Sequence, residues 1–191
     1  MKTMVWLRQL GAALRLLLVM TVLLGVGYPL VILLAAQAFP AQANGSLITD
    51  SAGRVVGSSL LGQKFDGPQW FQGRPSASDY AGTTSGGSNL SPVSDAQAKA
   101  VEQRRAALVA ANPNAVGPVP QDALTASASG LDPDISIAYA HWQVPRVAAA
   151  RQLSVDELDR LIDRATDRAP LGYLGQDAVN VVRLNALLAS R

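Results

Sequence analysis

Leu16-Leu-Leu-Val-Met-Thr21-Val-Leu-Leu-Gly25-Val-Gly27-Tyr28-Pro29-Leu-Val-Ile-Leu-Leu-Ala-Ala36 is a run of twenty-one residues without a charge. A helix needs about 20 apolar residues to cross a hydrocarbon core of about 30 Å. In lipid every backbone amide must find its partner within the segment, so a lone run of this kind reads as a membrane helix. Pro29 removes one intrahelical hydrogen bond and predicts a kink. Gly25 and Gly27 permit close approach of a partner helix, although their spacing is not that of a GxxxG pair.

The flanking charges give this helix a direction. Lys2, Arg8 and Arg15 precede it, and the first acidic residue is Asp50. Cytoplasmic flanks are enriched in Lys and Arg. The reading is therefore a cytoplasmic flank over 1–15, a transmembrane helix over 16–38 and an extracytoplasmic domain over 39–191. A cleaved signal peptide is the competing reading, with small-x-small sites at Ala36-Gln37-Ala38 and Ala41-Gln42-Ala43. Signal peptides carry apolar regions of about 7–15 residues, so the length favours a retained anchor. Both readings leave the remainder outside the cytoplasm.

Beyond Pro40 thirteen basic residues stand against fourteen acidic ones, so the basic character of the chain belongs to the anchor flank. A nearly neutral domain argues against a nucleic-acid surface. About 150 residues suffice for one domain with its own core. The chain has no cysteine, which excludes disulfides, thiolate metal sites and cysteine nucleophiles.

The fold class expected is α+β: one N-terminal transmembrane helix, then a single helix-rich domain with a small β-hairpin or sheet. Ser46–Thr49 and Arg54–Ser58 flank Asp50-Ser51-Ala52-Gly53, a hairpin turn, and Asn44-Gly45 is a turn ahead of it. The aromatic loop Phe65–Phe71 is expected to pack on that hairpin. Residues 73–92 are too rich in Gly, Ser and Thr for a helix or a central strand, and Arg74, Tyr80 and Asn89 favour an ordered loop. Ser94 with Gln97 starts a helix reaching Ala111, with Val101, Leu108, Ala98 and Ala107 as its stripe and Glu102, Arg104 and Arg105 in water. Asp132 at N-cap and Pro133 at N1 start another, which breaks or restarts at Pro145. A second capping box, Ser154 with Glu157, opens a helix carrying Leu158, Leu161 and Ile162. Val179–Leu188 is a short helix or a strand–helix pair.

Little in this chain resembles a catalytic centre. His141 is the single histidine; a serine hydrolase built on it lacks a nucleophile elbow, and it reads as a surface or packing residue. Gly57–Lys64 misses the P-loop pattern because Gln63 separates Gly62 from Lys64. Asp132 and Asp134 lack the further acids of a calcium loop. Arg160, Arg164 and Arg168 read as a charge ladder with Asp156, Asp163 and Asp167. Ser85-Gly86-Gly87-Ser88 can expose consecutive amides beside Arg74, a nest suited to phosphate; the alternative is a loop ordered against the protein's own core or a partner.

Six segments, taken in order, resemble one family. They are Gly62-Gln-Lys-Phe65, Phe71-Gln-Gly-Arg74-Pro-Ser-Ala77, Ser85-Gly-Gly-Ser-Asn-Leu90, Leu124-Thr-Ala-Ser-Ala-Ser-Gly-Leu-Asp-Pro133, Gln143-Val-Pro-Arg146-Val-Ala-Ala-Ala-Arg151 and Val179-Asn-Val-Val-Arg-Leu-Asn185. They resemble the KdpC subunit of the bacterial Kdp potassium-transporting P-type ATPase. Ala128 and Ser91 stand where that family usually has Gly. The resemblance implies a non-catalytic accessory subunit of a high-affinity potassium-uptake complex in the inner membrane. Its implied partners are the channel-like KdpA subunit, the ATP-hydrolysing KdpB subunit, the small KdpF subunit and membrane lipid. The residues agree: one helix cannot enclose an ion path, and neither a TVGYG filter nor an Asp-Lys-Thr-Gly-Thr phosphorylation sequence occurs. The resemblance also implies an alternative, a catalytic chaperone that contacts ATP and raises the ATP affinity of the catalytic subunit. Ser85, Gly86, Gly87, Ser88 and Gln143 are the positions nominated for that contact. No other cofactor and no metal is implied. The charge asymmetry, which places the domain across the membrane from ATP, weighs against direct binding.

Overall fold

The computed structural model describes residues 2–50 and 52–191. Ser51 of the expected hairpin turn lies outside the described residues. The chain divides into two units, one ending at Ser46 and the other spanning Leu47–Arg191.

The first unit is helical. Helix α1 (Lys2–Val22) passes through one π turn, Leu23–Gly27, into α2 (Tyr28–Ala36), and a short α3 (Pro40–Ala43) follows. Within it, Met4–Ala36 is long and apolar enough to cross a membrane, and its most apolar stretch has no buried residue. At 1.5 Å per residue these 33 residues reach about 50 Å, well beyond a bilayer core. Where the sequence predicts a kink at Pro29, the backbone instead widens. The amide of Tyr28 bonds the carbonyl of Leu23, five residues back. A proline ring collides with the carbonyl four residues behind it, and a π turn just ahead relieves that crowding.

The second unit begins with a hairpin, β1 (Leu47–Thr49) and β2 (Val55–Ser58), antiparallel with an irregularity after Ile48. The carboxylate of Asp50 organises the turn. Its Oδ1 accepts from the amides of Ala52 and Arg54 at 2.9 and 2.8 Å, and its Oδ2 accepts from Arg54 Nε at 2.8 Å. These bonds hold its pKa below the usual carboxylate value. A long segment without regular structure follows, as residues 73–92 predict, and then α4 (Asp95–Ala111), α5 (Gln121–Leu124), β3 (Asp134–Ile135), α6 (Ile137–Arg151), α7 (Val155–Ala165), β4 (Thr166–Asp167), β5 (Ala178–Asn180) and α8 (Val181–Ala189). Strand β5 lies between β3 and β4, antiparallel to both. Helix α7 packs between α6 and α8, and α8 also rests on the hairpin. Tyr139, Val147, Leu158, Ile162, Leu184 and Leu188 fill the core. Phe71, expected against the hairpin, is fully buried in this same core.

Four expectations are corrected. Helix α6 is capped by Ser136, whose hydroxyl accepts from Tyr139 N at 3.0 Å, and not by Asp132. Asp132 Oδ1 instead accepts from Asp134 N at 3.0 Å, a local turn that directs the chain into β3. Helix α6 also continues through Pro145 to Arg151 without a restart, because burial of both halves outweighs one missing hydrogen bond. On α4, Gln97, Ala100, Val101, Arg104, Arg105 and Leu108 form the half-buried stripe, while Ala98 and Ala107 are exposed. Arg104 faces α5 and donates to Leu124 O at 2.9 Å. The last members of the charge ladder, Asp167 and Arg168, lie beyond α7, which ends at Ala165, and pair instead with Arg183 and Asp177. The Ser154–Glu157 capping box forms in both directions.

Candidate functional site

The nominated residues lie on a loop system assembled from three distant pieces of chain. Its base is the stretch 67–72, held from below by polar side chains of α6 and α8. Asn185 Nδ2 donates to Phe71 O at 2.8 Å, and its Oδ1 accepts from Phe71 N at 2.9 Å. One residue along, Gln143 Nε2 donates to Gln72 O at 3.1 Å and its Oε1 accepts from Gln72 N at 2.8 Å. Two amide side chains thus replace the ladder of a missing neighbouring strand.

Arg146, one helical turn after Gln143, completes this base. Its Nη1 donates to Pro68 O at 2.6 Å and Trp70 O at 3.0 Å, its Nη2 to Gln143 Oε1 at 2.7 Å, and its Nε to Asn112 Oδ1 at 2.7 Å. It is 8% exposed. Burial lowers its pKa, but a guanidinium stays charged throughout the biological range. Trp70 receives the Arg151 guanidinium 4.3 Å from its ring centroid.

Above the base, residues 73–90 interlock with 127–132. Arg74 Nη1 meets Asp132 Oδ2 at 3.0 Å, and the Tyr80 hydroxyl donates to the Arg74 carbonyl. Burial, reinforced by the charge of Asp132, pushes the Tyr80 phenol up to about 12. Ser127 N donates to Pro75 O at 2.9 Å, Gly86 N to Ser129 O at 2.8 Å, and Ser76 Oγ to Gly130 O at 2.7 Å. At Gly62 the two backbones almost touch. A Cβ there would lie 2.5 Å from the carbonyl oxygen of Asp132, so only glycine fits the close approach.

Ser85, Gly86, Gly87 and Ser88 are therefore contiguous on the surface of this interlock, with the two serines exposed. Gln143 lies elsewhere: it is fully buried, and its polar atoms bond Gln72 and Arg146. An anion cradle requires consecutive amides turned toward the ligand, and Gly86 directs its own amide to Ser129. Arg74 is likewise engaged with Asp132. His141 is exposed, its Nδ1 3.1 Å from Asp159 Oδ1. Among the described residues no group of three or more His, Cys, Asp or Glu side chains is disposed to hold a metal.

The sequence reading assigned no role to Arg146, Asn112 or Asn185. Their signal is nevertheless present. Gln143 and Arg146 occupy the inward face of an apolar helix, and Asn185 interrupts the apolar run of α8. A polar residue at a core position must find an internal partner.

An apolar anchor helix and one α+β body stapled by buried amides and a guanidinium define the class: a membrane protein with one candidate span and a single appended body. The family described as "KdpC: K+-transporting ATPase, c chain" matches residues 10–190. A potassium-transporting ATPase KdpC subunit of Sorangium cellulosum is 54% identical over 186 residues, 95% of this chain and 97% of that protein. Those of Herpetosiphon aurantiacus and Serratia proteamaculans are 49% and 46% identical, over 92% and 94% of this chain and 93% and 96% of theirs. The chain belongs to the KdpC family and is thus a subunit of a potassium-transporting ATPase.

Proposed function

We propose that this chain is a non-catalytic accessory subunit that braces the channel-like KdpA and catalytic KdpB subunits, with KdpF and lipid as further neighbours. Residues 1–15 lie in the cytoplasm, 16–38 cross the bacterial inner membrane, and 39–191 stand outside. The observation that carries the reading is the anchor. Leu16 to Leu34 expose apolar side chains on every face, and a helix with no covering from its own unit requires lipid or partner helices. Burial of the polar side chains of Gln143, Arg146 and Asn185 supports a bracing role, since these groups hold loops in shape and offer no exposed chemistry.

The test uses the absence of native thiols. A cysteine at Thr83, in the exposed loop, is treated with a membrane-impermeant maleimide in spheroplasts. Labelling from outside is expected. Protection until the membrane is opened would reverse the topology. Deletion of 45–191 is expected to abolish potassium uptake, and uptake that survives it would remove the bracing role. The chaperone reading draws on the exposed hydroxyls of Ser85 and Ser88. Amide shifts in that loop on ATP titration would favour it.

A further inference from the structure

A groove of about 1000 Å³ lies in the second unit between the 116–122 loop, the first half of α6 and the start of α7. Val116, Val119, Trp142 and Val155 make its walls apolar. Val116 is 87% exposed and Val155 51% exposed at its lips. The polar side chains that join them are Gln121, Asp122, Ser136, His141 and Asp159. Asp122 and Asp159 line the groove, and among its described lining residues there is no lysine or arginine. Asp159 is partnered by His141 at 3.1 Å, and Asp122 accepts from Ser136 N and Oγ at 2.7 and 2.9 Å. Apolar walls beside two carboxylates, with no lysine or arginine among the described lining residues, make an apolar groove that carries acidic groups.

The geometry points to this groove as the docking site of a partner-protein segment that carries aliphatic side chains and at least one lysine or arginine. The aliphatic groups cover the valine lips, and the cation meets Asp159 or Asp122 with electrostatic complementarity. The inference rests on the reading of the chain as an assembled subunit and adds the face through which its body is held.

Single cysteines at Val116 and Val155 of the full chain, co-expressed with the other subunits, carry a thiol-linked photo-cross-linker; Val93, 93% exposed ahead of α4, is the control. Both lips are expected to cross-link to one co-purifying subunit, at a peptide with a basic residue among aliphatic ones, and Val93 is not. Val155→Arg and Asp159→Lys are expected to reduce the retained partner by about tenfold or more, with the unfolding temperature of the variant chain unchanged. Silent lips in an intact complex, cross-links to a second copy, a mapped peptide without a basic residue, or equal reaction at Val93 would each overturn the docking site alone. If the unmodified chain brings down no partner, the assembly reading fails and this inference falls with it.

Discussion

The carboxamide of Asn185 closes both backbone hydrogen-bonding groups of Phe71, a residue 114 positions earlier in the chain, through bonds of 2.8 and 2.9 Å. The side chain of Phe71 is fully buried in the core. One polar residue on the last helix therefore decides where the first long loop enters the hydrophobic interior.

Asn185→Ala leaves a buried N–H and a buried C=O without partners, and such groups cost about 1–3 kcal/mol each. A loss of about 2–4 kcal/mol is expected in denaturant unfolding of the detergent-solubilised chain. Asn114→Ala, at an exposed position, is expected to stay within about 0.5 kcal/mol. Similar values for the two would show that Phe71 is positioned by packing alone.

Arg146→Lys keeps the charge and removes the fork. An ammonium cannot serve Pro68, Trp70, Gln143 and Asn112 together, so a buried charge is left short of acceptors and several acceptors short of donors. Destabilisation of about 2–4 kcal/mol is expected, a fall in melting temperature of roughly 10 °C for a chain of this size. An unchanged melting temperature would refute the assigned role.

Gly130 has φ +69°, and a Cβ there would lie 2.7 Å from Ser78 Oγ and 2.9 Å from Gly86 O. Gly130→Ala combines left-handed strain of about 1–2 kcal/mol with overpacking of about 1–3 kcal/mol. Hydrogen exchange of the Gly86 amide is expected to accelerate, because the bond from Gly86 to Ser129 sits at the same interlock.

Alkaline pH tests the burial of Tyr80. Its ordinary pKa is 10.0, and in the fold it is pushed up to about 12. Between these values the unfolded chain has lost the phenolic proton while the folded chain retains it. The stabilising contribution is therefore complete below pH 10 and declines as pH rises toward about 12. Ultraviolet absorbance against a Tyr80→Phe baseline should show the Tyr80 phenol ionising well above pH 10; titration near pH 10 would place it in water.

Asp134 behaves in the same sense at the acid end of the scale. Burial, and then the charge of Asp132, raises its pKa above the ordinary value, although Asn180 Nδ2 donates to its Oδ1 at 3.0 Å. Its neutral form suits the fold, so its contribution is present at acid pH and is lost as pH rises through its folded pKa. Asp134→Asn keeps an acceptor for Asn180 and is expected to stabilise the chain at neutral pH, with the advantage shrinking on acidification. A variant less stable at pH 7 would contradict this.

Much of the architecture was legible because its causes are local. The uncharged run from Leu16 to Ala36 needs no tertiary partner to declare itself a membrane helix. The Asp50–Gly53 turn, the Ser94 cap and the Ser154–Glu157 box act over at most four residues and form close to where the spacing predicts, although at Ser94 only half of the capping box is made: Ser94 Oγ accepts from Gln97 N, while Gln97 Oε1 finds no partner among the described residues. The misreadings at Asp132, Pro145 and Arg104 share one origin: each residue meets its decisive partner across the fold. Asp132 is drawn to Arg74, the two halves of α6 are held by the same core, and Arg104 reaches the carbonyl of Leu124.

Composition and short-range pattern alone established an anchored α+β protein without cysteine or histidine-rich chemistry, because hydrophobic length, charge asymmetry and capping are properties of neighbouring residues. The meeting of Gln143, Arg146 and Asn185 beneath 67–72, and the closure of 85–88 upon 127–130, were decided by the tertiary structure. The bonds of Gln143 and Asn185 to Gln72 and Phe71 join positions 71 and 114 residues apart, they form only once packing has excluded water, and no local pattern encodes which backbone group each side chain will find.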